Sequence, residues 1–367
     1  MKAPEFVSAA SPTMARAPAG GHPCQGLWHA PDTRPKVAFI ATHYDIDFSE
    51  HYLAEHLARR GYGFLGWNTR FRGMGYYFTL EQAVVDIGVG VRWLREDQNI
   101  DTVVLLGNSG GASLMSAYQS QAIQPNIQPT RGSSVPDAAL DLPTADLFVS
   151  LNAHPGRPDV LTMWLDPSVT DESDPLSVDP DLDMFTPEHT VPYDKEFIDR
   201  YRRAQEERNH RITAWCIAEL DRMSAAGAYD RVFNVFRTWA DLRFLDLEID
   251  PSDREVGCYF GDPKVANYLP FGLATTNTLR AWLSMWSLSE SQCRAQPHLA
   301  RITQPSLVIQ SSDDQGCYPS DAQAIFGALA TEDKEIHTLR GDHYLQKPPD
   351  ARDHAADIIS DWVKDRT

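Results

Sequence analysis

One stretch limits what this chain can fold into more than any other: residues 101–115, DTVVLLGNSGGASLM. Residues 103–106 are an unbroken apolar run with β-branched members, the pattern of a strand buried on both faces. Residues 107–111 then fit G-x-S-x-G, and residues 112–122 are helix formers. A strand that passes straight into a helix at a serine must bend the backbone at Ser109 into a sparsely populated conformation. Side chains two residues to either side would collide there, and Gly107 and Gly111 remove them. The same turn exposes the Ser109 hydroxyl. It also leaves the Gly110 amide free at a helix start, where it can stabilise an oxyanion. Gly-Ser-Gly clusters occur in ordinary loops as well, so the flanking sequence decides what this one means.

The flanks repeat the alternation. Residues 36–42 (KVAFIAT) and 62–67 (YGFLGW) read as strands, and residues 48–60 have helical spacing closed by Gly61. Residues 79–97 read as a long helix with Ala83, Val84, Ile87, Val91 and Leu94 on one face. Residues 145–152 (ADLFVSLN) form another buried-type strand that leads into His154. Near the end come a strand at 305–310, a helix at 320–330, a strand at 335–339 and an amphipathic helix at 349–364. Strands and helices alternating at this spacing predict βαβ units and an α/β fold with a mostly parallel sheet.

Two segments break the pattern. Residues 1–22 are dominated by Ser, Pro and Ala and read as a loosely ordered arm without a signal-peptide core. From about residue 158 to 297 the alternation lapses. Residues 166–194 carry nine acidic residues, five prolines and no Lys or Arg, which predicts an extended, solvated loop. Residues 194–223, 228–242 and 275–288 have helical patterns. Trp215, Trp239, Trp282 and Trp286, with Phe233, Phe236, Phe244 and Phe271, supply its core, and some of them are candidates to line a pocket against the sheet.

In an open parallel sheet, ligands bind beyond the carboxyl ends of the strands. Ser109, Asp314 and His343 each follow a strand by a short loop, in that chain order. A serine hydroxyl becomes nucleophilic when an imidazole takes its proton, and a buried carboxylate fixes the tautomer of that imidazole. His337 lies inside a strand and reads as a structural histidine.

These residues resemble the α/β-hydrolase fold superfamily, in its serine-esterase form, over residues 23–155 and 297–367. Residues 107–111 correspond to the nucleophile elbow, and Arg72-Gly-Met-Gly75 is similar to the R-G-x-G stretch after the family's fourth strand. The loop at 311–319 is similar to the acid loop, where the spacing favours Asp314 over Asp313, and Gly341-Asp342-His343 is similar to the histidine loop. The resemblance implies a Ser109–His343–Asp314 triad cleaving a carboxylic ester or lactone. The second oxyanion amide would come from the loop after strand 36–42. That loop reads His43-Tyr44-Asp45 without the family's usual glycine, and Tyr44 is preferred to Asp45. His43, Asn108 and His154 are the candidate pocket residues. Residues 156–296 stand where the family inserts a lid, which implies a largely helical cap over a deep pocket and a bulky substrate. A thioesterase, amidase, acyltransferase or carbon–carbon bond hydrolase would use the same triad, and a receptor-like binding protein is the non-enzyme rival.

Charge and cysteine usage exclude other classes. The formal net charge of −18 disfavours nucleic acid and anionic membranes and favours a neutral or weakly cationic small-molecule substrate. No run of about 18 apolar residues exists, so no membrane insertion is expected. Five scattered cysteines without a C-x-x-C suggest neither a disulfide framework nor a zinc site, and fit a reducing cytoplasm. No metal or organic cofactor is implied, and exposed lid aromatics would suit a homodimer.

Overall fold

The computed structural model describes residues 3–14 and 21–367. Among the described residues there are ten strands: β1 (Glu5–Ala9), β2 (Cys24–His29), β3 (Val37–Ala41), β4 (Gly63–Asn68), β5 (Thr102–Asn108), β6 (Leu147–Leu151), β7 (Val232–Asn234), β8 (Thr276–Thr278), β9 (Ser306–Ser311) and β10 (Lys334–Leu339). Eight of them make one sheet in the order β1-β2-β4-β3-β5-β6-β9-β10, and β7 and β8 pair separately. β2 runs antiparallel to β1 and β4, while every other pairing in the large sheet is parallel.

The period-two arithmetic of the strands builds two cores. Ala38, Ile40, Val103 and Leu105 point to one face of the sheet, and Phe39, Ala41, Val104 and Leu106 to the other. Helices α2 (Leu80–Glu96) and α3 (Gly111–Ile123) cover the first face through Val84, Ile87, Val91, Leu114 and Met115. Helices α1 (Ala54–Arg59) and α10 (Ala351–Lys364) cover the second through Leu57, Ile359, Trp362 and Val363. Strands buried on both faces need apolar residues at every position, which is why the runs at 36–42 and 103–106 read so clearly.

Four expectations need correction. Residues 5–9, expected within a loose arm, form the edge strand β1, where pairing to β2 satisfies their backbone and Val7 is buried. Residues 1–2 and 15–20 of that expected arm lie outside the described residues. The helix expected from 48 starts only at Ala54, because side chains claim the backbone before it. Asn68 Oδ1 accepts from the Phe48 amide, Asp47 from Ser49 and His51 Nδ1 from Leu53. Residues 228–242 are not helical. Val232–Asn234 pairs with Thr276–Thr278, and Arg237 then takes φ 58°. The expected helix at 275–288 begins as β8 and continues through α7 (Leu279–Ala281) into a single π-turn at Trp282–Trp286.

Between β6 and β9 the chain leaves the sheet for a long excursion. Its two ends lie side by side: the Arg157 amide donates to Cys293 O (3.0 Å) and the Ala295 amide to Pro155 O (2.7 Å). Within it stand α4 (Arg157–Trp164), the long α5 (Lys195–Ala225), α6 (Pro263–Ala266), and α8 (Ala295–Leu299) at its close. Much of the remainder is extended loop. The acidic loop is tethered more firmly than a solvated run requires. Asp166 is fully buried 2.6 Å from Arg237, and Glu172 pairs with the fully buried Arg208 at 2.7 Å. Helix α9 (Pro319–Ala328) packs on β9 and α8.

Candidate active site

The turn from β5 to α3 is as tight as its glycines imply. Ser109 has φ 55°, and its amide donates to Leu151 O (3.0 Å). A Cβ on Gly107 would stand 2.4 Å from the Ala112 Cα, and one on Gly111 would stand 2.4 Å from the Thr42 carbonyl oxygen. Both are backbone atoms that cannot yield locally. The packing of α3 against the ends of β3 and β5 therefore holds the serine in its positive-φ conformation.

Three chain segments converge on that serine. His343 Nε2 lies 3.1 Å from Ser109 Oγ, and His343 Nδ1 lies 2.7 Å from Asp314 Oδ2. The other Asp314 oxygen accepts from the amides of Gly316 (2.8 Å) and Cys317 (3.0 Å). Asp313 instead contacts Ser312 Oγ at 2.9 Å and faces Arg340. His337 bonds Glu335 on the half-exposed edge strand β10 and stands outside this cluster. Asn152, at the end of β6 with φ 44°, joins the loops. Its side chain donates to His343 O (3.2 Å) and accepts from the Ser311 amide (2.8 Å).

A cavity of about 500 Å³ opens above Ser109 and His343. His43, Asn108 and His154 line it, as do Trp164, Trp239, Tyr259, Phe260, Phe271 and Trp286 from the excursion. Asn108 bridges its own neighbours, accepting from His51 Nε2 (3.2 Å) and donating to Leu151 O (3.0 Å). His154 packs edge-on against Trp164 and lies 3.5 Å from Cys317 Sγ. Burial drives the pKa of His43 and of His154 well below the ordinary histidine value, and nearby positive groups add to the effect. Tyr44 is absent from the cavity wall. Its fully buried ring turns inward and its hydroxyl meets Ser113 Oγ at 2.9 Å.

Two residues that motif reading did not single out stand against the serine and its partners. The Tyr259 hydroxyl lies 3.2 Å from Asp314 Oδ1 and 3.0 Å from His343 Nδ1. Burial, reinforced by the Asp314 charge, raises its pKa well above the usual tyrosine value, so it stays protonated. Arg157, at the start of α4, is 4 % exposed and lies with its guanidinium over the Tyr44 and Trp286 rings at 5.0 and 4.5 Å. Neither belongs to a spacing motif.

Among the described residues, Asp314, Cys317 and His343 bring potential metal-ligand atoms within 4.8 Å of one another. Asp314 and His343 spend those atoms on each other, and burial keeps the Cys317 thiol protonated. The donor set thus suits an acid–histidine pair. All five cysteines are free and buried. Among the described residues, no helix is long and apolar enough to cross a membrane.

No family model matches the chain, and no curated protein matches it by sequence. Solved structures match over the whole chain. They include the esterase domain of a Rhodothermus marinus protein (14 % identity, 99 % of both chains, TM-score 0.50) and DcsB in complex with its substrate analogue (11 %, 100 % of both, 0.54). The α/β-hydrolase GrgF from Penicillium sp. sh18 is a third (10 %, 99 % of both, 0.52). The sheet order, the strand–serine–helix turn and these matches together place the chain in the α/β-hydrolase fold.

Proposed function

We propose that this protein is a serine hydrolase that cleaves a carboxylic ester or lactone through an acyl-enzyme. The observation that carries the reading is the continuous path Ser109 Oγ–His343 Nε2 (3.1 Å) and His343 Nδ1–Asp314 Oδ2 (2.7 Å) on the floor of a cavity. Ser109 Oγ attacks the carbonyl carbon while His343 Nε2 takes its proton. The carbonyl π electrons move onto oxygen, which the amides of Gly110 and Tyr44 receive. Collapse of that intermediate breaks the bond to the alcohol, which leaves with the proton held by His343. Water then gives its proton to His343, adds to the acyl carbon, and frees the acid as Ser109 recovers the proton. Asp314 remains ionised throughout and holds the Nδ1 proton in place.

Residues 156–296 act as the lid in this reading. Their aromatics form much of the cavity wall, and the wall's apolar character suits a bulky acyl or alcohol part. The test compares wild type with Ser109→Ala on p-nitrophenyl acetate. The expected result is turnover that falls by at least about 10³-fold in the variant, with unchanged thermal unfolding. Equal turnover by both proteins contradicts the proposal.

A further inference from the structure

The cavity floor carries a charge that the triad does not use. Arg157 is almost wholly buried, lines the cavity, and is clamped between the Tyr44 and Trp286 rings. Its Nε has no hydrogen-bond partner. Among the described residues no carboxylate lies within ion-pair distance of it. The carboxylate it senses most strongly, Asp45, stands beyond ion-pair distance, 3.8 Å from the neutral His43 ring. A buried guanidinium remains charged, and an unpaired buried charge is costly unless something compensates it. Compare the other buried arginines of the excursion: Arg208, Arg237 and Arg243 each hold a carboxylate at 2.7 Å or closer, Arg280 faces Asp230 at 3.5 Å, and Arg254 spends its donors on the carbonyls of Asp250 (2.7 Å) and Ile249 (2.8 Å). Arg157 alone of these six lines the cavity, and it has neither a carboxylate nor a carbonyl on its guanidinium among the described residues.

The position of Arg157 also defines which part of a substrate it would meet. A Cβ on Gly110 would stand 2.6 Å from Arg157 Nη1 and 2.9 Å from His43 Nε2. Gly110 is the oxyanion side of the serine, whereas the leaving alcohol must lie against His343 to receive its proton. A group that reaches Arg157 is therefore carried on the acyl half. Two planar N–H donors of a guanidinium match the two oxygens of a carboxylate.

We propose that Arg157 is a carboxylate-binding residue, and that the substrate is an ester whose acyl part bears a free carboxylate close to the scissile carbonyl, as in a hemi-ester of a short dicarboxylic acid. This rests on the ester-hydrolase reading and gives it a substrate class. It also revises the preference for a neutral or weakly cationic substrate drawn from net charge. Asp45, Asp47 and Glu50 line the same cavity at its more open side, so the field at the mouth and the charge beside the serine differ in sign.

The test is a matched pair of esters, monomethyl succinate and methyl isocaproate, in which a neutral isopropyl group replaces the carboxylate. p-Nitrophenyl acetate serves as the control for the serine chemistry. In wild type, kcat/KM for monomethyl succinate is expected to exceed that for methyl isocaproate by about 100-fold, the size of a charge-assisted fork of hydrogen bonds. Arg157→Met is expected to reduce that ratio to below about fivefold. Free succinate should inhibit wild-type turnover of p-nitrophenyl acetate competitively. Control turnover with no preference between the esters and no inhibition by succinate overturns the carboxylate assignment and leaves the ester hydrolase standing. An equal loss on both esters in Arg157→Met also overturns it, and assigns the guanidinium to the oxyanion. Absence of control turnover together with an unreactive Ser109 removes the ester-hydrolase reading itself. The succinate measurement needs no variant, so a misfolded Arg157→Met does not shelter the proposal.

Discussion

Removing one hydroxyl, in Tyr259→Phe, isolates what the excursion contributes to the serine chemistry. The hydroxyl sits between Asp314 Oδ1 (3.2 Å) and His343 Nδ1 (3.0 Å). The shorter contact from Nδ1 to Asp314 Oδ2, 2.7 Å, takes the imidazole proton. The phenol proton is left for Oδ1, which already accepts from the Gly316 and Cys317 amides. A hydrogen bond to a charged group contributes about 1.5–3 kcal/mol. Two of the three donors to Oδ1 survive the substitution, so the low end applies. The expected loss is about 1.5 kcal/mol, or a little over tenfold in kcat. Asp314→Asn, which removes the charge and misdirects the imidazole tautomer, should cost about 10⁴-fold. The assay is steady-state hydrolysis of p-nitrophenyl acetate with kcat and KM resolved, alongside thermal unfolding. Tyr259 acts through Asp314 and His343, so kcat should fall while KM and the unfolding temperature hold. A kcat within twofold of wild type refutes the reasoning, because the hydroxyl would then do nothing. A loss near that of Asp314→Asn refutes it from the other side, since the phenol would then be an acid or base in its own right.

Further outcomes follow from the same geometry. Gly111→Ala places a methyl group 2.4 Å from the Thr42 carbonyl oxygen. It should destabilise the fold by about 1–3 kcal/mol in urea unfolding and displace the Gly110 amide, with a matching loss of turnover; wild-type stability and activity in this variant would contradict the close packing. Acid should weaken the fold through its buried histidines. His51 accepts the Leu53 amide on Nδ1, so its ring is neutral, and burial takes its pKa from 6.5 to about 3. His43 and His154 are shifted in the same direction. Above about pH 6.5 neither state binds these protons. Below it the unfolded chain binds protons that the folded chain refuses, so stability is full above the unfolded pKa and is lost as pH falls toward the folded values. The urea midpoint should therefore drop from about pH 7 to about pH 5, and a flat profile would show that these rings titrate normally.

What the sequence made legible, and what it hid, follows the range of the interactions involved. Residues 36–42 and 103–106 announced themselves because a strand buried on both faces tolerates nothing polar. The serine turn did so because two backbone contacts, to Ala112 and to Thr42, demand glycine at 107 and 111. Asp314 and His343 could be placed because each lies one short loop beyond a strand. The edge strand β1 was hidden: with Phe6 exposed and only Val7 buried, its composition looks like a tail. Residues 228–242 misled because aromatic spacing alone does not separate a helix from a strand pair whose partner lies at 276–278. Tyr259 and Arg157 were invisible for a different reason. Their roles exist only once the excursion folds back across the sheet, and no local pattern encodes contacts such as those of Tyr259, made over separations of 55 and 84 residues.

The central claim is that Ser109 is an activated nucleophile. Its most direct measurement is labelling of the folded protein with a fluorophosphonate, followed by mass spectrometry of the modified peptide. One phosphonylated residue, Ser109, is expected, formed rapidly in wild type and lost in His343→Ala. An unlabelled Ser109 in folded protein, or a label on another serine, would contradict it.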